Sequence, residues 1–254
     1  MEPGNFDPEA LRPALESNLA EVRRTVERAA LRAGRDPGAV LLLAATKTAA
    51  AGVVGLLPSL GVRDAGENRV QEAESKVRAL SEAGLRWHMI GRLQTNKVRR
   101  ALDLFHRLHS VDRDDLLEAL AREAARRGRV VDCLLQVNVS EEATKGGYVP
   151  GAAEAALRRA RSLPSLRVTG LTAIPAPADD PEGSRPAFRA LRGLRDRLRE
   201  GPGDLPDLSM GMSGDYAVAV EEGATLLRLG SALFRGLPAG AWGRGADAVA
   251  RGTA

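Results

Sequence analysis

Cysteine is nearly absent from this chain. Cys133 is the only one in 254 residues, so no disulfide can form within it. It lies in "VVDCLLQVNV", an apolar run in which a cysteine is expected to act as a small buried hydrophobe, not a nucleophile. Long uncharged stretches are also lacking. Residues 39–62 come nearest, but Lys47 and Pro58 interrupt them, well short of the roughly 18–20 residues that cross a bilayer. The opening "MEPGNFDPEALRPALESNLAEV" is acidic and has no apolar core of a secretory peptide. A cytoplasmic protein without a membrane partner is expected. Blocks of like charge are missing too. The formal net charge is only +4, and pairs such as Arg99–Arg100, Arg126–Arg127 and Arg158–Arg159 are spread along helical segments beside acidic residues. They read as solvated helix faces, and no nucleic-acid partner is expected.

Several signatures of chemistry are absent as well. The first strand is followed by "TKTAAAG", which fits neither the dinucleotide-binding nor the P-loop glycine pattern. "GMSGD" approaches the G-x-S-x-G nucleophile elbow, but Asp215 stands where the second glycine is required. His106 and His109 have no partner at zinc-ligand spacing, so no metal is expected; both read as surface or strand-edge residues.

What is present is an alternation. After an opening helix over residues 8–34, strand-like runs fall at 40–46, 62–66, 86–91, 106–111, 131–139, 166–174, 207–211 and 226–230. Amphipathic helical segments separate them; "RDDLLEALAREAARRG" carries Leu116, Leu117, Leu120 and Ala124 at helical spacing and stops at Gly128. Eight strands joined through helices imply parallel pairing and a closed α/β barrel, with an open doubly wound sheet as the competitor. Residues 175–186 and 201–206 read as loops. The tail from Leu237 has little apolar periodicity and is expected to be partly disordered.

In such a barrel, chemistry gathers at the C-terminal ends of the strands. The first strand ends on Lys47, one of only four lysines among 37 basic residues. An ammonium, unlike a guanidinium, loses its proton when desolvated and then attacks a carbonyl. Lys47 is either such an amine or a rim lysine with its head in water. Lys76 reads as solvated on a helix face. The seventh and eighth strands end in "GMSGD" and "RLGSA", which offer Gly211, Ser213, Gly214, Gly230 and Ser231 at the two strand–helix turns where barrels commonly bind phosphate. Strand alternation turns Arg228 inward, where its charge needs a phosphate, a carboxylate or a pyridine nitrogen as acceptor. A Schiff-base lysine, an inward arginine and two small-residue loops together describe a seat for pyridoxal 5′-phosphate (PLP).

The segments "LLAATKT", "AGENRVQE", "WHMIGRLQTNK", "HSVD", "QVNVSEEATKGG", "GLTAIPAP" and "LSMGMSGDYAVAVEEGATLLRLGSALF" resemble the YggS/PROSC family of PLP homeostasis proteins over residues 10–236. The resemblance implies a single (β/α)8 TIM barrel over residues 1–236, like the N-terminal domain of alanine racemase, with an extra N-terminal helix and a Gly/Ala-rich tail at 237–254. It implies PLP as cofactor, held as a Schiff base on Lys47, with Asn68, Ser213, Arg228, Gly230 and Ser231 around it. The implied function is PLP homeostasis, buffering or delivering the cofactor to apo PLP-dependent enzymes without robust catalysis, as a monomer. The alternatives are a PLP-dependent racemase using Lys47 with Lys145 or His88 as bases, and a Schiff-base aldolase with no cofactor. Lys97 and Lys145 are candidates for a second PLP. The sequence departs from the family at Thr46 (usually serine), Arg69 (tyrosine), Thr172 (methionine) and "LFRG" (usually "IFG").

Overall fold

Eight short strands alternate with helices along the chain. The computed structural model describes residues 6–140, 146–176, 178–201 and 203–243. Helix α1 (Arg12–Arg32) is followed by β1 (Leu41–Ala45), α2 (Ala51–Val54), β2 (Asp64–Glu67), α3 (Val70–Ala79) and β3 (Arg86–Met89). Next come α4 (Val98–Leu104), β4 (Arg107–Val111), α5 (Asp114–Arg126), β5 (Val131–Gln136), α6 (Pro150–Arg161) and β6 (Leu166–Thr172). The last elements are α7 (Arg185–Leu198), β7 (Asp207–Ser209), α8 (Tyr216–Glu221), β8 (Leu226–Leu229) and α9 (Ser231–Phe234). Every strand pairs in parallel with the next, and β8 pairs with β1, closing the expected barrel. All eight expected strands are present, each somewhat shorter than its apolar run. No helix among the described residues is long and apolar enough to cross a membrane.

The helices bury one stripe each. In α5, Leu116, Leu117, Leu120, Ala121 and Ala124 face the sheet, while its acidic residues Asp114 and Asp115 occupy the first turn, where they complement the helix dipole. The additional helix α1 buries Leu15, Leu19, Val22, Val26, Ala29 and Ala30 and packs along α8 and α9. Its Asn18 Nδ2 donates to the carbonyls of Leu233 (2.9 Å) and Arg235 (3.0 Å), so α1 ties down the end of the short α9.

The lumen is less usual, because charged and polar side chains occupy much of it. Arg107 donates to Asp207 at 2.9 Å although β4 and β7 are not neighbours, so both point inside. Arg86 and Asp64 form a two-bond pair at 2.9 and 2.6 Å, and Arg167 pairs likewise with Asp132. Each of these carboxylates meets a guanidinium, with Arg107 largely covered and Arg86 and Arg167 open to solvent. Cys133 is fully buried, and burial pushes its thiol up to about 12, in keeping with an inert role.

The stretch after α9 is packed as far as Gly243. Ala241 and Trp242 are buried, and the Trp242 indole stacks on Phe234 with ring centroids 4.7 Å apart. Ala50 N–H donates to Ala241 O and Gly243 N–H to Thr48 O, each at 3.0 Å, so this stretch is bonded to the chain following β1. Within the tail expected to be partly disordered, Leu237–Gly243 is therefore held against the barrel; residues from 244 onward lie outside the described ones.

Candidate functional site

Parallel closure brings all eight strand C-termini to one mouth. Lys47 stands two residues beyond β1, in the turn that Ala49 N–H closes on Thr46 O at 2.9 Å. It is exposed and makes no hydrogen bond or ion pair among the described residues. Its backbone is fixed from behind. Thr46 N–H donates to Gly66 O at 2.9 Å, and Thr46 Oγ1 donates to Glu67 Oε1 at 2.6 Å. Lys76 reaches in from α3 and donates to Thr46 O (2.5 Å) and Glu67 Oε1 (2.7 Å). Lys76 is thus not the solvated lysine expected from its charged helix: its side chain is 13% exposed, and its partner Glu67 is fully buried. The local helix pattern could not disclose an acceptor supplied by a neighbouring strand. The Lys47 side chain is thus exposed and unpaired among the described residues, next to a backbone held at Thr46.

Arg228 does turn inward. Its Nη1 donates to Thr172 Oγ1 (3.1 Å), Ser209 O (2.6 Å) and Ser209 Oγ (2.7 Å), and its Nη2 to Ala173 O (3.0 Å). All four acceptors are neutral, so the carboxylate partner considered from sequence is not there. Burial pushes the guanidinium down to about 10, opposed by the charge of Asp215. Its Nε donates to nothing among the described residues. Thr172, a departure from the family pattern, adds an acceptor to this cage.

Beyond β7 and β8 the two turns interlock. Gly211 takes φ +92°, and a Cβ there would lie 2.5 Å from that of Ala219, so glycine is required by conformation and space alike. Ser213 Oγ accepts from the N–H groups of Gly230 (3.2 Å) and Ala232 (3.0 Å), holding one turn against the other. Asp215 Oδ1 accepts from Met212 N–H at 2.7 Å, and its other oxygen from Ser184. Three N–H groups, those of Ser213, Gly214 and Ser231, have no acceptor among the described residues, and the Ser231 hydroxyl also has none. Unpaired amides on two adjoining turns are the kind of groups from which anion-binding concavities are built. Arg235, the extra residue of "LFRG", pairs with Glu21 on α1 and so leaves these turns clear.

Asn68 follows β2, its backbone against Gly91, where a Cβ would come within 2.3 Å of Asn68 O. It lines a cavity of about 750 Å³ with Arg69, Arg92, Lys97 and Arg113, a space that none of the other five expected site residues borders. Lys145 lies outside the described residues.

Two histidines change meaning. His106 is exposed, as expected, but His109 is not a surface residue: it is 1% exposed inside the lumen. His88 is 2% exposed with both ring nitrogens engaged, by Asp64 and His109, so it is not a base at the mouth. The inward phase of Arg86–His88 and Arg107–His109 was the signal available for this; spacing rules for zinc were the wrong test. Ser209, Asp64 and Thr172 were likewise missed.

Comparison with known proteins accords with the fold. Residues 12–238 match the family described as alanine racemase, N-terminal domain. The pyridoxal phosphate homeostasis protein of Aquifex aeolicus is 44% identical over 217 residues, covering 85% of this chain and 95% of that protein. Among solved structures, a protein of unknown function from Bifidobacterium adolescentis superposes with TM-score 0.82 at 35% identity, covering 91% of this chain and 99% of the other. PipY of Synechococcus elongatus PCC7942, solved with PLP bound, gives TM-score 0.75 at 33% identity over 87% of this chain and 99% of its own.

Proposed function

The chain belongs to the pyridoxal phosphate homeostasis proteins of the alanine racemase N-terminal-domain family, and on that premise we propose that it binds PLP through Lys47 and buffers or delivers it without robust turnover. One observation carries the reading: a free amine, an inward guanidinium with an idle Nε, and a nest of unpaired N–H groups share one barrel mouth. Bound PLP would supply an aldehyde for the Lys47 amine, an aromatic nitrogen that accepts a hydrogen bond, and a phosphate. Each part has a candidate partner among these residues. The amides of Ser213, Gly214 and Ser231, with the Ser231 hydroxyl, would hold the anion, with Gly230 keeping the backbone close; Arg228 would meet the ring nitrogen; Asn68, which follows β2, lines a neighbouring cavity instead.

Arg228 also argues for carriage over catalysis. A guanidinium gives up its proton reluctantly, which leaves the ring a poorer electron sink than a carboxylate partner would. With His88 sealed in the lumen, the racemase alternative lacks that base. Protein reconstituted with PLP should acquire the near-visible absorbance of a lysine-bound cofactor, and Lys47→Ala should abolish it. Unchanged absorbance in that variant overturns the assignment, and rapid solvent-deuterium exchange at Cα of amino acids would support a racemase instead.

A further inference from the structure

A line of hydrogen bonds runs down the lumen from Arg228 to the opposite face of the barrel. Arg228 Nη1 donates to Ser209 Oγ at 2.7 Å, and Ser209 Oγ lies 2.9 Å from His109 Nδ1. His109 Nε2 lies 3.0 Å from His88 Nδ1, and His88 Nε2 lies 2.8 Å from Asp64 Oδ1. Asp64 is gripped by Arg86, and both line a cavity of about 610 Å³ on the N-terminal face, beneath α1. The line therefore joins the mouth to solvent at the far end.

Its two ends dictate its direction. A guanidinium only donates and an ionised carboxylate only accepts. His88 must then carry its hydrogen on Nε2, facing Asp64, which leaves Nδ1 bare to accept from His109 Nε2–H. His109 Nδ1 is in turn bare and accepts the Ser209 hydroxyl hydrogen, so Ser209 turns a lone pair toward Arg228. The reversed order would set bare His88 Nε2 against the carboxylate and leave the buried Ser209 hydrogen without a side-chain acceptor. Burial lowers both rings below the ordinary histidine value, which disfavours a doubly protonated His88 as the way out.

We propose that Ser209, His109 and His88 are positioning residues for Arg228, a one-way chain by which Asp64 fixes the guanidinium that meets the PLP ring nitrogen. The PLP contact rests on the reading above; the direction of the chain does not. A guanidinium with neutral acceptors only has no ion pair to orient it, and this chain connects it to a distant carboxylate in place of one. Networks of this kind are stronger than their separate bonds, because each donor polarises the next.

The first test uses ligand-free, 15N-labelled protein. Long-range 1H–15N spectra of its three histidines, with His106→Gln to assign the exposed one, should show His88 and His109 both neutral and protonated on Nε2. An Nδ1-protonated His109 overturns the chain without any variant being needed. Asp64→Asn, which can donate to His88 Nε2, should convert the rings to the other tautomer. Ser209→Ala removes an acceptor from a charged donor and should weaken PLP binding, read by absorbance titration, about tenfold. Tautomers that ignore Asp64→Asn, or PLP affinity unmoved by Ser209→Ala, count against the proposal. If wild-type protein forms no PLP chromophore, the cofactor reading fails, and the tautomers still decide the direction of the chain.

Discussion

Replacing Lys76 by methionine isolates the support behind Lys47. The substitution keeps most of the aliphatic stem and removes an ammonium that donates to Glu67 Oε1 and Thr46 O. Glu67 is fully buried, and its Oε2 already has no hydrogen-bond partner, so Thr46 Oγ1 at 2.6 Å would be its remaining donor. Breaking one side of a buried pair costs 3–5 kcal/mol; with Lys76 slightly open to solvent, about 3 kcal/mol is expected for Lys76→Met. For a chain of this size that lowers Tm by roughly 6–12 °C. Urea unfolding of PLP-free protein, followed through Trp87 and Trp242 fluorescence, measures it. Adding Glu67→Leu should recover most of the loss, since both charges then disappear and Thr46 Oγ1 keeps Gly66 O as acceptor. A Lys76→Met protein within about 0.5 kcal/mol of wild type would refute the argument that this pair is a buried one.

Two further outcomes follow from the lumen and from the segment after α9. Burial, aided by the charges of Arg107 and Arg228, holds His109 well below the ordinary histidine value of 6.5, and burial also lowers His88. The unfolded chain therefore takes up protons below about 6.5 that the folded chain does not, and stability should fall as pH drops through that value. Urea midpoints at about pH 8 and about pH 5.5 show this as a loss that His109→Gln diminishes; a flat profile in wild type refutes it. Trp242→Ala removes a ring 6% exposed and stacked on Phe234, and should cost about 3 kcal/mol in a thermal or urea melt. An unchanged melt would mean that the stretch contributes nothing to the barrel.

Much of the fold was legible because helix and strand periods are local. Eight apolar runs separated by amphipathic helices gave the barrel its count and its parallel sense, and the inward phase of Arg228 followed from alternation alone. The two glycine–serine turns were legible for a similar reason, since small residues at strand ends mark close backbone approach. Lys47 stood out by scarcity of lysine. Lys76 and His109 were misjudged because their partners lie on other elements: Glu67 and Thr46 for the one, Ser209 across the lumen for the other.

By itself, then, the sequence determined which strands exist, which end of them carries the amine and which turns could cradle an anion. Only the tertiary structure decided which charges meet. Barrel closure sets β4 across the lumen from β7 and lets β8 reach β6 past β7, and no local pattern encodes those pairings. It is this closure that threads Asp64, two buried imidazoles and Ser209 into one line ending at Arg228, and it leaves Lys47 alone at the mouth.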